Sequence, residues 1–120
     1  MSDYQLGVME TRFAQLIWEH EPLSSRDLVS LCEQTLDWKK STTFTVLKRL
    51  CQRGFFKNES GTVTSLISRE DFASRQSEEF IENRFGGSLP QFLAAFTRRK
   101  QLSDREIEEL ERLIEAHRRN

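Results

Sequence analysis

The spacing of apolar residues changes twice along this chain, and these changes limit the folds open to it. Up to Gly54 the apolar residues recur at intervals of three and four, which predicts helices. The next segments, "FFKN" and "TVTSLI", are rich in aromatic and β-branched residues and flank "ESG", which predicts a β-hairpin. Helical spacing then returns. The expected fold is mainly α with a small β-hairpin, in the order three helices, hairpin, three helices.

Serine residues mark four of the predicted helix starts, because each is followed three residues later by Asp, Glu or Gln. Such a serine accepts a hydrogen bond from a backbone N–H in the first helical turn, and the acidic or amide side chain can return one. We expect the first helix to end before Pro22 and the third to end at Gly54. The pairs are Ser24 with Asp27, Ser68 with Asp71, Ser88 with Gln91, and Ser103 with Glu106.

The size and composition allow one domain, or one small domain with an appendage. The chain has 120 residues, of which 37% are hydrophobic and 31% charged, so the apolar content for a core is modest. A second copy would relieve this shortage. The sequence has no apolar run of about 18 residues and no secretory signal pattern, so we expect a cytoplasmic protein without a membrane partner. Cys32 and Cys51 lie in apolar helical patterns, which argues against a disulfide framework.

Positive charge is concentrated in one stretch, although the formal net charge is only −1. Residues 1–36 and 59–120 each hold more acidic than basic residues, whereas residues 37–58 have a balance of +5. This excess favours an anionic partner, although such a run can also be a solvated helix face. The charged residues of the stretch are Asp37, Lys39, Lys40, Lys48, Arg49, Arg53 and Lys57.

Helical spacing divides the third predicted helix into two faces. Thr43, Val46, Leu47 and Leu50 are expected to face the core. Threonine on the opposite face suits base edges, Lys and Arg neutralise phosphates, and backbone amides at the helix start can hold a phosphate. The outward residues are Thr42, Phe44, Thr45, Lys48 and Arg49.

A short helix pair followed by a ribbon is typical of a winged helix-turn-helix, whose second helix enters the DNA major groove. The hairpin would be the wing, with Lys57 and Asn58 either reaching the DNA backbone or minor groove or forming a polar tip that contacts nothing. Phe44 is unusual on a solvated face. Apolar contact with a base or sugar edge would explain it, and it also fits the alternative of a protein-interaction adaptor.

Several motifs resemble the penicillinase repressor family (BlaI/MecI/CopY). They are "IWE", "PLSSRDLVSLCEQTLDWKKSTTFTVLKRLCQRG", "FGGSLPQFLAAF" and "LSDREIEELERLIE", and they cover nearly the whole chain. The resemblance implies a homodimeric transcriptional repressor that binds a pseudo-palindromic operator in double-stranded DNA. It also implies a winged-helix DNA-binding domain at 1–68 and a helical dimerisation domain at 69–120. The positions that match the family's operator-reading helix are Lys39, Lys40, Ser41, Thr42, Thr45 and Arg49, with Trp38 as the anchor or as a core aromatic.

The apolar residues of the last three helices are the candidate dimerisation surface, because so few helices cannot bury them all. The alternative is that they pack only on the winged helix of the same chain. The set consists of Phe80, Phe85, Leu89, Phe92, Leu93, Phe96, Leu102, Ile107, Leu110, Leu113 and Ile114.

Two departures from the family pattern concern its regulation. Penicillinase-type members are cut at an Asn-Phe bond, where this chain has Ala95 and Phe96, so cleavage by the same type of protease is not expected. The C-terminus "EAHRRN" lacks the cysteine motif of copper-responsive members. A regulatory protease or another inducer stays open.

Other functions have weaker support in the residues. A metal-responsive repressor would need a site built from Cys32, Cys51, His20 and His117, which lack short ligand spacing. An enzyme would need a phosphate loop or a nucleophile with its base, and neither pattern is present. We therefore expect no catalytic residue, no metal and no cofactor.

Overall fold

The computed structural model of the chain describes residues 3–120, which form six helices and three short strands. The mainly helical fold with a small sheet confirms that part of the sequence-based prediction. No helix among these residues is long and apolar enough to cross a membrane. The elements are α1 (Val8–His20), β1 (Leu23–Ser24), α2 (Ser25–Leu36), α3 (Lys40–Gln52), β2 (Phe56–Glu59), β3 (Thr62–Ser65), α4 (Arg69–Phe85), α5 (Leu89–Phe96) and α6 (Asp104–Arg119).

All four serine caps form as predicted. Each serine hydroxyl accepts from the backbone N–H three residues later, which satisfies one of the free donors at the helix start. Of the four pairs, only Ser103–Glu106 also has the predicted return bond, in which the Ser103 N–H donates to Glu106 Oε1 at 3.1 Å. The N···O distances are 3.0 Å for Ser24–Asp27, 3.0 Å for Ser68–Asp71, 3.1 Å for Ser88–Gln91 and 3.1 Å for Ser103–Glu106.

The strands form one antiparallel sheet in the order β1-β3-β2. Ser60 and Gly61 connect β2 to β3 with φ values of 53° and 82°, the left-handed pair that a two-residue hairpin turn requires. The predicted hairpin was therefore right but incomplete. β1 adds a third strand, with Leu23 opposite Val63, and a two-residue strand is too short to show alternation in the sequence.

The chain divides into two compact units. We call the unit that ends at Glu79 the N-terminal unit and Phe80–Asn120 the C-terminal unit. The N-terminal unit has a closed apolar core, in which Trp38 stacks on Phe13 with ring centroids 5.4 Å apart. Its buried apolar residues are Phe13, Ala14, Ile17, Leu23, Leu28, Cys32, Leu36, Val46, Leu47, Leu50, Phe55, Phe56, Val63 and Phe72.

Residues 3–6, which we call the N-terminal strap, lie within the N-terminal unit and join the end of α3 to the first half of α4. The Tyr4 ring packs 5.9 Å from Phe55 and 5.7 Å from Phe72, measured between centroids. Arg53 Nη2 donates to the carbonyl oxygens of Asp3 and Gln5, both at 3.0 Å. These contacts explain why the compact unit extends into α4. The functional boundary between residues 68 and 69 stays a prediction.

The C-terminal unit contains no buried residue, and the structure describes every residue of it. Phe80, Phe85 and Phe92 form an aromatic cluster with centroid distances of 5.5 to 6.1 Å, and Phe96 extends it at 6.1 Å from Phe92. This small cluster leaves most of the predicted dimerisation residues exposed. The exposed fraction is 62% for Leu89, 67% for Leu113 and 57% for Ile114.

Candidate nucleic-acid interface

The turn between α2 and α3 fixes the direction of α3. Asp37 follows α2 in the left-handed conformation, with φ of 57°. The Trp38 N–H then donates to the Cys32 carbonyl at 3.2 Å, which closes the end of α2. Because α3 begins at Lys40, the two helices meet in a tight helix-turn-helix.

The two faces of α3 are as predicted. Thr43, Val46, Leu47 and Leu50 are buried, which attaches the helix to the core along its length. Thr43 is 1% exposed, and its hydroxyl donates to the Lys39 carbonyl at 3.4 Å. Every residue of the predicted outward row is exposed, as are the positions at the helix start: Lys39, Lys40, Ser41, Thr42, Phe44, Thr45, Lys48 and Arg49.

The outward row offers a mixed polar and apolar surface. Phe44 is 36% exposed, a high value for a large aromatic ring in a chain that buries Phe13, Phe55 and Phe56. Thr45 donates its hydroxyl hydrogen to the Ser41 carbonyl at 2.9 Å, so its oxygen keeps acceptor capacity on this exposed side chain. This combination of a hydroxyl acceptor, methyl groups and one ring suits base edges and sugar.

The N-terminus of α3 has no side-chain cap among residues 3–120. Ser24 caps α2, whereas within residues 3–120 no side chain caps α3 at Lys39. The first-turn N–H groups of α3 therefore lack a side-chain acceptor, and the positive end of the helix lies beside Lys39 and Lys40. Free amides at a helix N-terminus, flanked by two ammonium groups, match a phosphate of a nucleic acid.

The predicted basic residues fall into two groups. Among residues 3–120, no carboxylate lies within 4.0 Å of Lys39, Lys40 or Lys48, which leaves these charges available to a partner. Arg49 instead pairs with Glu10 of α1 at 3.2 Å. Arg53 donates to backbone carbonyls of the N-terminal strap, and its guanidinium also lies 4.8 Å from the Phe55 ring centre.

The hairpin carries less net positive charge than α3. Lys57 and Asn58 are both exposed on β2, as contact with a partner requires. Lys57 Nζ lies 3.1 Å from a Glu59 carboxylate oxygen, so the charge of this lysine is offset by a neighbour on its own strand. The positive surface is therefore centred on α3 and its start, with the hairpin beside it.

The two cysteines are structural in character. Cys32 is fully buried in α2 and Cys51 is half-buried in α3. Burial raises the pKa of both thiols, which keeps them protonated near neutral pH and makes them poor metal ligands. In the described range, 3–120, no group of three His, Cys, Asp or Glu side chains is arranged to hold a metal.

Two important residues lie outside the set predicted from the sequence. Glu10 accepts from the Gly7 N–H at 3.1 Å and also binds Arg49. Gly7 and Glu10 have the same three-residue spacing as the serine caps, with glycine in place of serine. Glu21 accepts from the N–H and hydroxyl of Ser65, both at 2.8 Å, and so ties the end of α1 to β3. Local sequence shows no sign of that second contact.

A helix-turn-helix with an exposed polar helix, followed by a small antiparallel sheet, is consistent with the winged helix-turn-helix class of proteins. The chain belongs to the penicillinase repressor family, whose model matches residues 6–116. Members of this family are transcriptional regulators and not enzymes. Family membership confirms the resemblance noted in the motifs and the prediction that the chain has no enzymatic activity.

Three curated relatives illustrate the similarity. The penicillinase repressor of Bacillus licheniformis is 29% identical, over 98% of this chain and 91% of its own. The methicillin resistance regulatory protein MecI of Staphylococcus aureus is 26% identical, over 92% of this chain and 94% of its own. The penicillinase repressor of Staphylococcus aureus is 20% identical, over 92% and 90%. The similarity thus extends over both compact units.

Proposed function

We propose that the chain is a homodimeric repressor that binds a pseudo-palindromic DNA operator through α3. The observation that carries this proposal is the division of α3 into a buried face and an exposed row. Thr42, Thr45 and Phe44 are the candidates to contact bases. Lys40 and Lys48, together with the amides at the start of α3, are the candidates to hold phosphates.

The exposed apolar residues of the C-terminal unit support the dimer. Burying a Leu, Ile or Phe side chain is worth about 1.5–3 kcal/mol, and this unit leaves several such side chains in water when the chain is alone. A second copy would cover them. A two-fold dimer places two α3 helices on DNA, and the operator would then have two half-sites related by a dyad.

The hairpin contributes less to this proposal than α3. Lys57 and Asn58 are exposed and able to approach DNA, but Glu59 offsets the lysine charge. We propose a supporting contact to the DNA backbone there. A protein that binds an operator works where the chromosome is, so the proposed location is the cytoplasm.

Selection of genomic fragments tests the whole proposal. The purified chain is mixed with fragments of the genome that encodes it, and the retained fragments are sequenced. We expect a motif with dyad symmetry and affinity that falls steeply with salt, by about 0.9 log units per log unit of salt for each phosphate neutralised. Retention of no fragment above background, or affinity that is independent of salt and survives Lys40→Ala with Lys48→Ala, would overturn it.

A protein-interaction adaptor is the second candidate, because Phe44 is 36% exposed in the middle of the outward row. On this view the exposed row of α3 binds another protein and the dimer is a scaffold. A gel-retardation experiment with the genomic DNA that flanks the gene separates the two candidates. An adaptor gives no retarded band, whereas the repressor gives a band that weakens in Phe44→Ala.

A further inference from the structure

The carboxylate of Glu10 joins the start of α1 to the exposed row of α3. Its Oε1 accepts from the Gly7 N–H at 3.1 Å, and its Oε2 accepts from Arg49 Nη1 at 3.2 Å. Both oxygens are thus engaged, so the carboxylate has a fixed orientation. The Glu10 side chain is 22% exposed and that of Arg49 is 54% exposed.

Arg49 keeps the ability to bind a second group while it is paired. A guanidinium has five N–H donors in a rigid plane, and only one of them is used on Glu10. More than half of the side chain is in solvent, on the same row as Thr45 and Lys48. The contact with Glu10 restrains the position of the Arg49 head group and leaves its other donors available to a partner.

The same pair also lowers the attraction of α3 for DNA of any sequence. Non-specific binding comes from unpaired positive charge near phosphates. Lys40 and Lys48 contribute fully, because no carboxylate of residues 3–120 lies within ion-pair distance of either. At Arg49 the negative charge of Glu10 offsets this attraction, while the remaining guanidinium donors stay available for hydrogen bonds.

We propose that Glu10 is a positioning residue that sets the DNA selectivity of α3 by holding Arg49. This inference rests on the proposed function, since it requires that α3 binds DNA. Selectivity here means the ratio of affinities for an operator and for unrelated DNA. Glu10 raises that ratio from both sides, by orienting Arg49 on the operator and by weakening its attachment to other sequences.

The test compares two DNA probes and three proteins, each of 120 residues. The probes are a fragment selected from the genome and a shuffled fragment of equal length and composition. The proteins are the natural chain, Glu10→Gln and Lys48→Ala. The affinity ratio should fall about twofold to fivefold in Glu10→Gln, the range expected for one exposed ion pair, with tighter binding to the shuffled fragment. Lys48→Ala should weaken binding to both probes alike and leave the ratio unchanged.

Arg49→Gln removes the same ion pair while Glu10 still caps α1, and it separates selectivity from stability. In the Arg49→Gln background, the further change Glu10→Gln should have no effect on the ratio. An equal loss of selectivity in that background would show that Glu10 acts through α1, and would overturn the inference. An unchanged ratio in the single Glu10→Gln variant would also overturn it, while leaving the proposed function intact. If the natural chain binds neither probe, both fail together.

Discussion

The N-terminal and C-terminal units differ in how they bury their apolar residues. The N-terminal unit closes its core within one chain, with Phe13, Ile17 and Leu28 fully buried. The C-terminal unit, described in full, buries no residue completely. Its helices are capped as well as those of the first unit, at Ser88 and Ser103. Local helix signals are thus equally good in both units, and only the first has enough surrounding chain to bury its apolar side chains.

The largest expected effect is on the closed core. Phe13→Ala removes a fully buried ring that stacks on Trp38 at 5.4 Å, so we expect a loss of about 3–5 kcal/mol in the free energy of unfolding. Chemical denaturation followed by circular dichroism measures it. Phe44→Ala is the matched control, since that ring is 36% exposed and its removal should change stability by about 0.5 kcal/mol or less. Equal losses in both variants would contradict the exposed position of Phe44 on α3.

The second largest effect is expected in the C-terminal unit. Leu113→Lys with Ile114→Lys places charge on two adjacent residues of α6 that are 67% and 57% exposed. If these residues bury against a second copy, the dimer should dissociate and operator affinity should fall by about a hundredfold or more, since buried interface anchors contribute about 2 kcal/mol each. Sedimentation velocity and gel retardation measure the two outcomes.

Leu66→Lys is the control for that experiment. Leu66 lies in the N-terminal unit and is 56% exposed, so the variant introduces one of the two added charges at a similar exposure. We expect its sedimentation to match that of the natural chain. If the α6 variant still forms a dimer, the proposed difference between the units is wrong. It is also wrong if Leu66→Lys dissociates the dimer to the same extent.

A smaller effect is expected at the N-terminal strap. Tyr4→Ala removes the ring that packs on Phe55 and Phe72, and each aromatic pair contributes about 0.5–1.5 kcal/mol. We therefore expect the free energy of unfolding to fall by about 1–2 kcal/mol, with faster amide hydrogen exchange in the first half of α4. Tyr4→Phe keeps both ring contacts and should behave as the natural chain. Unchanged exchange in Tyr4→Ala would show that the strap does not stabilise α4.

The features predicted correctly from the sequence depend on neighbours within one turn of helix or hairpin. The serine caps span three residues, the faces of α3 follow from a period of 3.6, and the β2–β3 hairpin is marked by Gly61 between two β-rich segments. The exposure of the predicted α3 row was correct for the same reason. These signals are local, so one sequence is enough to detect them.

The features that were missed depend on residues far apart in the chain. Glu10 and Arg49 are separated by 39 positions, and Arg53 and Asp3 by 50. Nothing near Arg53 distinguishes a structural arginine from one that holds phosphate, so its charge was counted in the basic stretch of residues 37–58. β1 was missed for a related reason, because two residues become a strand only when β3 lies beside them.

The smallest expected effect is on the salt dependence of DNA binding, and it tests whether DNA contact is confined to the N-terminal unit. Lys48→Ala removes an exposed cation of α3 that has no carboxylate partner within residues 3–120. If it holds one phosphate, the slope of log affinity against log salt should decrease by about 0.9. Lys57→Ala should decrease the slope less, because Glu59 at 3.1 Å already offsets that charge. Titration of binding by fluorescence anisotropy at several salt concentrations measures all of these slopes.

Lys100→Ala is the decisive control, because it removes a cation of equal charge from the C-terminal unit. Lys100 is exposed and follows Arg98 and Arg99, so composition alone would make this run as good a phosphate site as α3. What it lacks is the surrounding geometry: α3 combines its cations with an open helix start and a row of threonines, and residues 98–100 follow the end of α5. We expect the slope of Lys100→Ala to equal that of the natural chain. A decrease as large as that of Lys48→Ala would extend the DNA-binding surface into the C-terminal unit, and the two units would then differ in packing but not in their contact with DNA.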